Sequence, residues 1–312
     1  MRKIIITGGL GHIGSYIIRK LLINEQGIHI IIIDNIKSER YVSLFNLKTK
    51  NNKVSFCDID IAKSSISSVV GKASIIIHLA AITDAENSVG KKKIYLENNL
   101  KATMEVIRFS NKFKIPLIFP SSTSVYGKAE INETLFEDNP KVLFPQSPYA
   151  IVKLMEENYI KKNAKNLKYF IIRLGTIVGN SIGMRFHTAV NKFCFQASTN
   201  REITVWRSAH KQLRPYASLE DFYRLVVFLI KNKNLINNQV YNLVTKNLTV
   251  KEIIDIIKIR KKVKIKFVNS KIMNQLSYKV SNQKIKKIGF MPKGNLKKEI
   301  IDTLKIFNLV KN

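Results

Sequence analysis

Acidic side chains are scarce in this chain of 312 residues, which has 22 of them against 53 lysines and arginines and a net charge of +31. Such a charge is compatible with nucleic-acid binding. However, no nucleic-acid motif and no platform of aromatic and basic residues accompanies it. The lysines of residues 262–267 alternate with apolar residues, which is typical of a half-buried strand with one wet face. We therefore expect a lysine-rich surface and no specific nucleic-acid partner.

Cysteines and long apolar runs are also lacking. Cys57 and Cys194 lie far apart without metal-ligand spacing, so no metal site is predicted, and a reducing cytoplasm is the simplest compartment. Hydrophobic residues make up 45% of the chain, but no apolar run is long enough to cross a bilayer. We therefore expect a cytoplasmic protein with a large core in one or two domains.

Strand-like apolar runs alternate with helical segments through the first half of the chain. The runs lie at residues 3–7, 28–33, 53–56, 74–78, 116–119 and 168–173. This alternation predicts an α/β fold with a doubly wound parallel sheet, whose ligands bind at the carboxyl ends of the strands. Because the alternation becomes irregular after residue 173, we predict a sheet domain at residues 1–178 and a smaller lobe formed mainly by residues 179–312.

A glycine loop follows the first strand and opens a helix. Gly8, Gly11 and Gly14 tolerate positive φ and let the backbone approach a pyrophosphate at the helix N-terminus. Their spacing differs from the common G-x-G-x-x-G by one residue. Asp34 ends the second strand, and an acid about 20 residues beyond such a loop binds the adenosine ribose and repels a 2′-phosphate. The loop therefore predicts NAD rather than NADP, and since its strand starts at Lys3 we expect no signal peptide before it.

Tyr149 and Lys153 are spaced i,i+4 on a predicted helix, so both side chains lie on one face. The ammonium favours the phenolate, whose ordinary pKa is about 10, and the pair therefore suits acid–base chemistry. Ser122 precedes the pair and supplies a hydroxyl that could complete the site. The motif Tyr-x-x-x-Lys alone is weak evidence for an active site, because a solvated helix face produces it too. The glycine loop earlier in the chain makes the evidence strong.

In this order, the motifs resemble those of the extended short-chain dehydrogenases/reductases, in the nucleotide-sugar epimerase/dehydratase group that includes UDP-glucose 4-epimerase. Residues 7–14 resemble the T-G-G-x-G-x-x-G loop, residues 78–81 resemble H-x-A-A, and Ser122 falls three residues before Val-Tyr-Gly. The resemblance runs nearly end to end. It implies a Rossmann-type sheet with a C-terminal substrate lobe, an NAD cofactor and a nucleotide-diphosphate sugar as substrate. It also implies a homodimer through helices near 100–113 and 149–163, although a buried core helix would give the same apolar stripes.

The resemblance further implies which residues bind each ligand. The expected NAD-binding residues are Gly8, Gly11, His12, Ile13, Asp34, Asn35, Asp58, Ile59, Leu79, Ala80, Ala81, Thr83, Asn99, Ser121, Tyr149 and Lys153. The expected substrate-binding residues are Ser122, Thr123, Tyr149, Arg185, Asn191 and Arg214. Among them, Arg185 and Asn191 are candidates from their position after residues 174–180, where the chain departs from the family pattern. We interpret His12 as a packing substitute for an aromatic residue. His187 and Trp206 fit either the substrate pocket or the core.

Ser122, Tyr149 and Lys153 are the expected catalytic residues. The resemblance implies that Tyr149 takes a proton from a sugar hydroxyl, usually at C4, while Ser122 holds the same oxygen and Lys153 binds the nicotinamide ribose. Lys153 and the cationic nicotinamide are expected to lower the pKa of Tyr149 to about 7.

Residues 122–124 bear on which net reaction follows. They read Ser-Thr-Ser and lack the carboxylates of the 4,6-dehydratases and the glutamate of the sugar-acid decarboxylases. A 4-epimerase is therefore favoured and would serve surface-polysaccharide synthesis. A 4-dehydrogenase or ketoreductase uses the same three residues and stays open. The alternative to an enzyme is a protein that binds NAD without catalysis, as a sensor or scaffold.

Overall fold

Strands and helices alternate along the chain as far as its midpoint and less regularly beyond it. The computed structural model describes residues 1–84, 88–127, 133–186, 188–269 and 277–307. Its strands are β1 Arg2–Thr7, β2 Ile28–Asp34, β3 Lys53–Asp58, β4 Ile75–His78, β5 Leu117–Ser122, β6 Glu133–Leu135, β7 Tyr169–Leu174, β8 Thr176–Val178, β9 Ile203–Trp206, β10 Leu213–Ser218, β11 Gln239–Leu243, β12 Lys246–Thr249, β13 Ile265–Val268 and β14 Tyr278–Val280. Its helices are α1 His12–Asn24, α2 Lys92–Tyr95, α3 Lys101–Phe113, α4 Pro148–Asn163, α5 Ala189–Ser198, α6 Leu219–Lys231, α7 Val250–Lys258, α8 Gln283–Lys287 and α9 Leu296–Ile306.

Seven parallel strands form the main sheet in the order β11-β7-β5-β4-β1-β2-β3. The chain runs outwards from β1 to β3 and then crosses to β4 on the other side of β1. The doubly wound parallel sheet predicted from the sequence is confirmed. Its edge strand β11 comes from residues 239–243, so the region assigned mainly to the smaller lobe also contributes to this sheet. The topological switch between β1 and β4 is the place where such sheets bind ligands.

Isoleucine dominates the central strands because both faces of the sheet are covered. Ile4, Ile5 and Ile6 of β1 are all 0% exposed. Ile4 and Ile6 pack in one cluster with α1 and α6, whereas Ile5 packs in the other with α3 and α4. Side chains of a strand alternate between the faces, and β-branched residues fit a pleated surface. The apolar runs seen in the sequence are therefore strands buried on both sides.

The smaller lobe has a core of its own, in which α5, α7 and α9 pack together with β9 and β10. The strand expected at residues 262–267 is present, but it begins at Ile265 and its Phe267 is 39% exposed. Among the described residues this strand pairs with β9 in a two-stranded sheet; Ile265 packs against the core of the lobe, while Phe267 contacts the His210 ring near the surface. The expected alternation of buried and wet residues is therefore incomplete.

The apolar stripes of α3 and α4 face the main sheet, and the two helices also contact each other. Met104 and Met155 remain 41% and 37% exposed. A homodimer through this helix pair stays a prediction. Within the described ranges, no helix is both long enough and apolar enough to cross a membrane.

Candidate functional site

A cavity of about 1190 Å³ lies at the carboxyl edge of the main sheet and extends to the smaller lobe. Pockets for single small ligands measure about 300–1,000 Å³, so this one has room for a dinucleotide and a second ligand. Most of the residues predicted from the sequence line it. They are Gly8, Gly11, His12, Ile13, Asp34, Asn35, Ile59, Leu79, Ala80, Ala81, Thr83, Ser121, Ser122, Thr123, Tyr149, Lys153, Arg185 and Arg214.

The glycine loop forms a tight cradle at one end of the cavity. Gly8 has φ +66, and a Cβ on it would lie 2.5 Å from the backbone nitrogen of Ala80. The Gly11 N–H donates to the Gly8 carbonyl at 3.1 Å, and α1 begins directly after Gly11. The free N–H groups of a helix N-terminus favour a bound phosphate. The cradle therefore fits the pyrophosphate of NAD.

Asp34 ends β2 beside this loop and faces the cavity. Its carboxylate accepts the N–H groups of Leu10 and Ile36, each at 3.1 Å. Burial raises the pKa of Asp34, and these hydrogen bonds together with the positive charge of Arg40 oppose the rise. Asp34 thus holds the glycine loop in place and also presents an acceptor where the adenosine ribose is expected.

Asp34→Ala is expected to weaken NAD binding by about 10- to 100-fold, because hydrogen bonds to charged groups contribute about 1.5–3 kcal/mol. NADP binding should change less, so the preference for NAD falls. Calorimetric titration with both dinucleotides measures this. Asp58→Ala is the matched control, because Asp58 pairs with Asp34 in register but is exposed outside the cavity. Equal NAD and NADP affinities in the wild type would contradict the assignment.

Three residues predicted to contact ligands do not line the cavity: Asp58, Asn99 and Asn191. Asp58 is the last residue of β3 and points to solvent. Asp60, two residues later, lies in the wall instead and pairs with Lys37 at 2.6 Å. The cavity wall therefore contains a carboxylate two positions after the one that the resemblance implies.

Asn99 and Asn191 shape the cavity from behind its wall. The Asn99 amide accepts from the Ile82 N–H at 2.8 Å and donates to the Ile82 carbonyl at 2.9 Å, which holds the loop after β4. Asn191 donates to the Arg185 carbonyl at 3.2 Å and lies 3.5 Å from His12 Nε2. His12 lies buried between the glycine loop and the smaller lobe, as a packing residue would.

Tyr149 and Lys153 lie in the first two turns of α4. The Ser147 hydroxyl accepts the Ala150 N–H, and Pro148 opens the helix, so cap and proline together fix where it starts. Lys153 is 4% exposed, and its ammonium donates to the Pro120 carbonyl at 3.3 Å.

Ser122, at the end of β5, completes the trio expected from the sequence. Its hydroxyl accepts from the Ser124 N–H at 3.1 Å and lies near enough to the Tyr149 phenol to lower the pKa of that group. The structure therefore brings together the three residues that the sequence separates by up to 31 positions.

The pKa of Tyr149 is raised, which differs from the lowering expected from the sequence. Burial is the largest cause, and the charge of Glu156 adds to it, while Lys153, Ser122 and Arg185 act in the opposite direction. The expected lowering included the positive charge of an oxidised nicotinamide ring. Lys153 acts in the direction predicted, but it does not outweigh burial by itself.

His78 is the last residue of β4, and its hydrogen bonds connect the loop after β4 to α3. Its Nδ1 lies 2.7 Å from the Thr7 hydroxyl, which accepts the Ala80 N–H, and its Nε2 lies 3.2 Å from the Thr103 hydroxyl. Burial, with a smaller effect from Lys153, lowers the pKa of His78 to about 3. The imidazole is therefore neutral, and its hydrogen bonds order the wall.

Glu156 and Glu157 are buried carboxylates beside the site that the sequence did not reveal. Both are 0% exposed on α4. Glu157 accepts from Arg173 Nε at 3.0 Å and from Nη2 at 2.8 Å, and the Ser121 hydroxyl donates to it at 2.6 Å. The available signal was their spacing, three and four residues after Lys153, which puts them on its side of the helix.

Glu157→Gln is expected to lower the free energy of unfolding by about 3 kcal/mol, because it leaves the buried Arg173 without its charged partner. Glu105→Gln is the control, since its partner Arg108 is 65% exposed, and should cost less than about 1 kcal/mol. Urea denaturation measures both. Equal losses in the two variants would contradict the importance of the buried pair.

Two half-buried arginines face the substrate half of the cavity. Arg185 donates to the Thr83 hydroxyl, and burial, helped by the charge of Arg40, lowers the pKa of Arg185 to about 10. Arg214 donates to Gln212 at 3.0 Å and lies over the Tyr278 ring. Partly desolvated cations suit an anionic ligand.

Trp206 lines the same region, which leaves it free to contact a ligand, whereas His187 lies outside the described residues. Within the part of the chain that the structure describes, no group of three histidine, cysteine, aspartate or glutamate side chains is arranged to hold a metal ion.

Known proteins share both the sequence pattern and the fold. The family model described as "NAD dependent epimerase/dehydratase family" matches residues 4–243. ADP-L-glycero-D-manno-heptose-6-epimerase of Brachyspira hyodysenteriae is 28% identical over 242 residues, which cover 74% of this chain and 73% of that protein. The putative UDP-glucose 4-epimerase of Methanocaldococcus jannaschii is 27% identical over 262 residues, which cover 82% and 81%.

A solved structure extends the likeness over nearly the whole chain. UDP-N-acetylglucosamine 4-epimerase from Methanobrevibacter ruminantium M1, in complex with UDP-N-acetylmuramic acid, has a TM-score of 0.85 to this chain. The alignment covers 98% of both chains at 23% identity. At that identity the likeness shows the fold.

Proposed function

The chain belongs to the NAD dependent epimerase/dehydratase family, and on that premise we propose that it is a nucleotide-sugar 4-epimerase. The family resemblance expected from the sequence is confirmed, and so is NAD as the cofactor. The proposal adds the position at which the sugar reacts and the net reaction.

The convergence of Tyr149, Ser122 and Lys153 on one wall of the NAD cavity carries the proposal. Bound NAD supplies a hydride acceptor that can return the hydride. Tyr149 takes the proton of the C4 hydroxyl and later gives one back, while Ser122 hydrogen-bonds the same oxygen and fixes its distance. Lys153, held by the Pro120 carbonyl, favours the phenolate through its charge.

Residues 122–124 favour epimerisation over water elimination. A dehydratase needs an acid and a base beside C5 and C6 of the sugar, whereas Thr123 and Ser124 offer only hydroxyl groups. Thr123 is buried, and its carbonyl accepts the Tyr278 hydroxyl at 3.3 Å, which anchors the segment. Arg185 and Arg214 are proposed to bind the diphosphate or another anionic group of the substrate.

The same three residues also serve a 4-dehydrogenase or ketoreductase, and a chain that only binds NAD would keep the glycine cradle. The test is to denature the purified protein, identify the dinucleotide released, and incubate native protein with UDP-, ADP-, GDP-, CDP- and dTDP-sugars under NMR observation. We expect released NAD(H), an inverted C4 centre and no net NADH. Net NADH or a stable keto-sugar would indicate the dehydrogenase, and bound NAD without turnover on any sugar would favour the binder.

A homodimer through α3 and α4, a cytoplasmic location and a role in surface-polysaccharide synthesis belong to the same proposal. Met104 and Met155 are apolar and partly exposed on these helices, which supports an interface there. Light scattering should give twice the mass of the chain. A monomeric mass at micromolar concentration would contradict the dimer.

A further inference from the structure

Glu156 is a fully buried carboxylate directly behind the catalytic lysine. Its Oε2 lies 3.2 Å from Lys153 Nζ, and its Oε1 accepts the Thr103 hydroxyl at 2.6 Å. Lys153 and Glu156 are 4% and 0% exposed, so water screens their attraction very little. A buried charge is costly unless it is paired and hydrogen-bonded, and these two contacts meet both needs.

The contacts of Glu156 continue as a hydrogen-bonded chain into the NAD side of the cavity. Thr103 donates to Glu156 and lies 3.2 Å from His78 Nε2; His78 Nδ1 lies 2.7 Å from the Thr7 hydroxyl, which accepts the Ala80 N–H. When His78 carries its proton on Nε2, every donor from Thr7 to Thr103 has an acceptor, and Glu156 Oε2 is left with its ion pair to Lys153 as its contact. Glu156 therefore connects Lys153 to the loop that lines the cofactor space.

The charges around Glu156 decide what it does to Tyr149. Lys153 and Glu156 form a pair with no net charge, and the low pKa of His78 keeps its ring neutral. One residue further along α4, Glu157 pairs with Arg173 and also lies 3.8 Å from Lys161. The other charged and titratable groups that act on Tyr149 are Arg185 in the cavity and Tyr95, whose ring stacks edge-on against it.

We infer that Glu156 is a positioning residue for Lys153 and that its negative charge keeps the Tyr149 phenol protonated until an oxidised nicotinamide is bound. The inference rests on the proposed catalytic role of Tyr149. Neutralised by Glu156, the lysine alone cannot generate the phenolate, and the positive charge of the oxidised cofactor must be added. The base is thus active when the hydride acceptor is present.

Glu156→Gln tests this inference, because it removes the charge and keeps the side-chain shape and the acceptor for Thr103. Absorbance of the phenolate is titrated in NAD-loaded protein, and the curve of the matching Tyr149→Phe protein is subtracted, so that only Tyr149 is seen. We expect the midpoint of Glu156→Gln to fall by about one pH unit or more relative to wild type. Glu105→Gln makes the same change on α3 outside the cavity and should leave the midpoint in place.

If Glu156→Gln does not fold, Glu156→Asp keeps the charge and withdraws it from Lys153, and a smaller fall in the same direction is expected. An unchanged or higher midpoint in whichever variant folds would overturn the inference. The titration needs no sugar substrate, so absence of turnover on every sugar counts against the proposed function only. An unchanged midpoint in a working epimerase counts against Glu156 only.

Discussion

Replacement of Tyr149 by phenylalanine is expected to reduce turnover by about 10²- to 10⁴-fold while NAD stays bound, since that is the usual contribution of a positioned acid–base group. The ring still fills its place in the wall, edge-on against Tyr95 at 6.3 Å between centroids. The glycine cradle and Asp34 lie at the other end of the cofactor space and are unaffected. Turnover and the amount of NAD released on denaturation should therefore respond separately.

Tyr159→Phe is the matched control, because Tyr159 lies on the same helix but packs against the core behind the sheet. Its turnover should equal that of the wild type. If Tyr149→Phe turned over at the wild-type rate, Tyr149 could not be the base, and another group in the cavity would have to carry the proton.

Gly8→Ala is also expected to have a large effect, because it should weaken both cofactor binding and the stability of the fold. The new Cβ would lie 2.5 Å from the Ala80 nitrogen and 2.6 Å from the Leu79 carbonyl carbon, in a residue with φ +66. Left-handed φ and overpacking together cost about 2–5 kcal/mol of unfolding free energy. Because the loops after β1 and β4 both line the NAD space, the thermal stabilisation by added NAD should also disappear.

Gly27→Ala separates backbone strain from the clash. Gly27 has φ +67, almost the same as Gly8, but a Cβ there meets nothing within 4 Å. This variant should cost about 1–2 kcal/mol and keep its response to NAD. Thermal unfolding with and without NAD measures both variants, and an equal response to NAD in the two would contradict the close approach of Gly8 to the loop after β4.

The strands and the glycine loop could be predicted because each is a local signal. Apolar runs such as residues 30–33 are typical of strands that are buried on both faces of the sheet. The loop needs glycine where φ is positive or where the backbone is crowded. The resemblance implies Asp58 as a cavity residue, yet Asp58 is exposed and Asp60 lies in the wall. The alternation of side chains in an extended strand puts residues 58 and 60 on the same face and cannot separate them. Which of them faces the ligand depends on how the chain leaves β3 after Asp58.

The contacts of the site between distant segments could not be predicted. His12 meets Asn191 across 179 positions, and Gly183 donates its N–H to Ser15 across 168. No periodicity encodes such pairs, since they depend on how the smaller lobe sits on the glycine loop. Likewise, Glu156 looks like a solvated helix residue in the sequence, and only the packing of α4 against α3 and the sheet makes it a buried partner of Lys153.

The most direct test of the account uses a nucleotide sugar that carries deuterium at C4, incubated with the purified protein and followed by NMR. Hydride transfer to bound NAD and back predicts a mixture of the two C4 epimers in which the deuterium remains on C4. Exchange of the label with solvent, or no inversion at C4 for any nucleotide sugar that binds, would contradict transient oxidation at C4 by the site formed by Tyr149, Ser122 and Lys153.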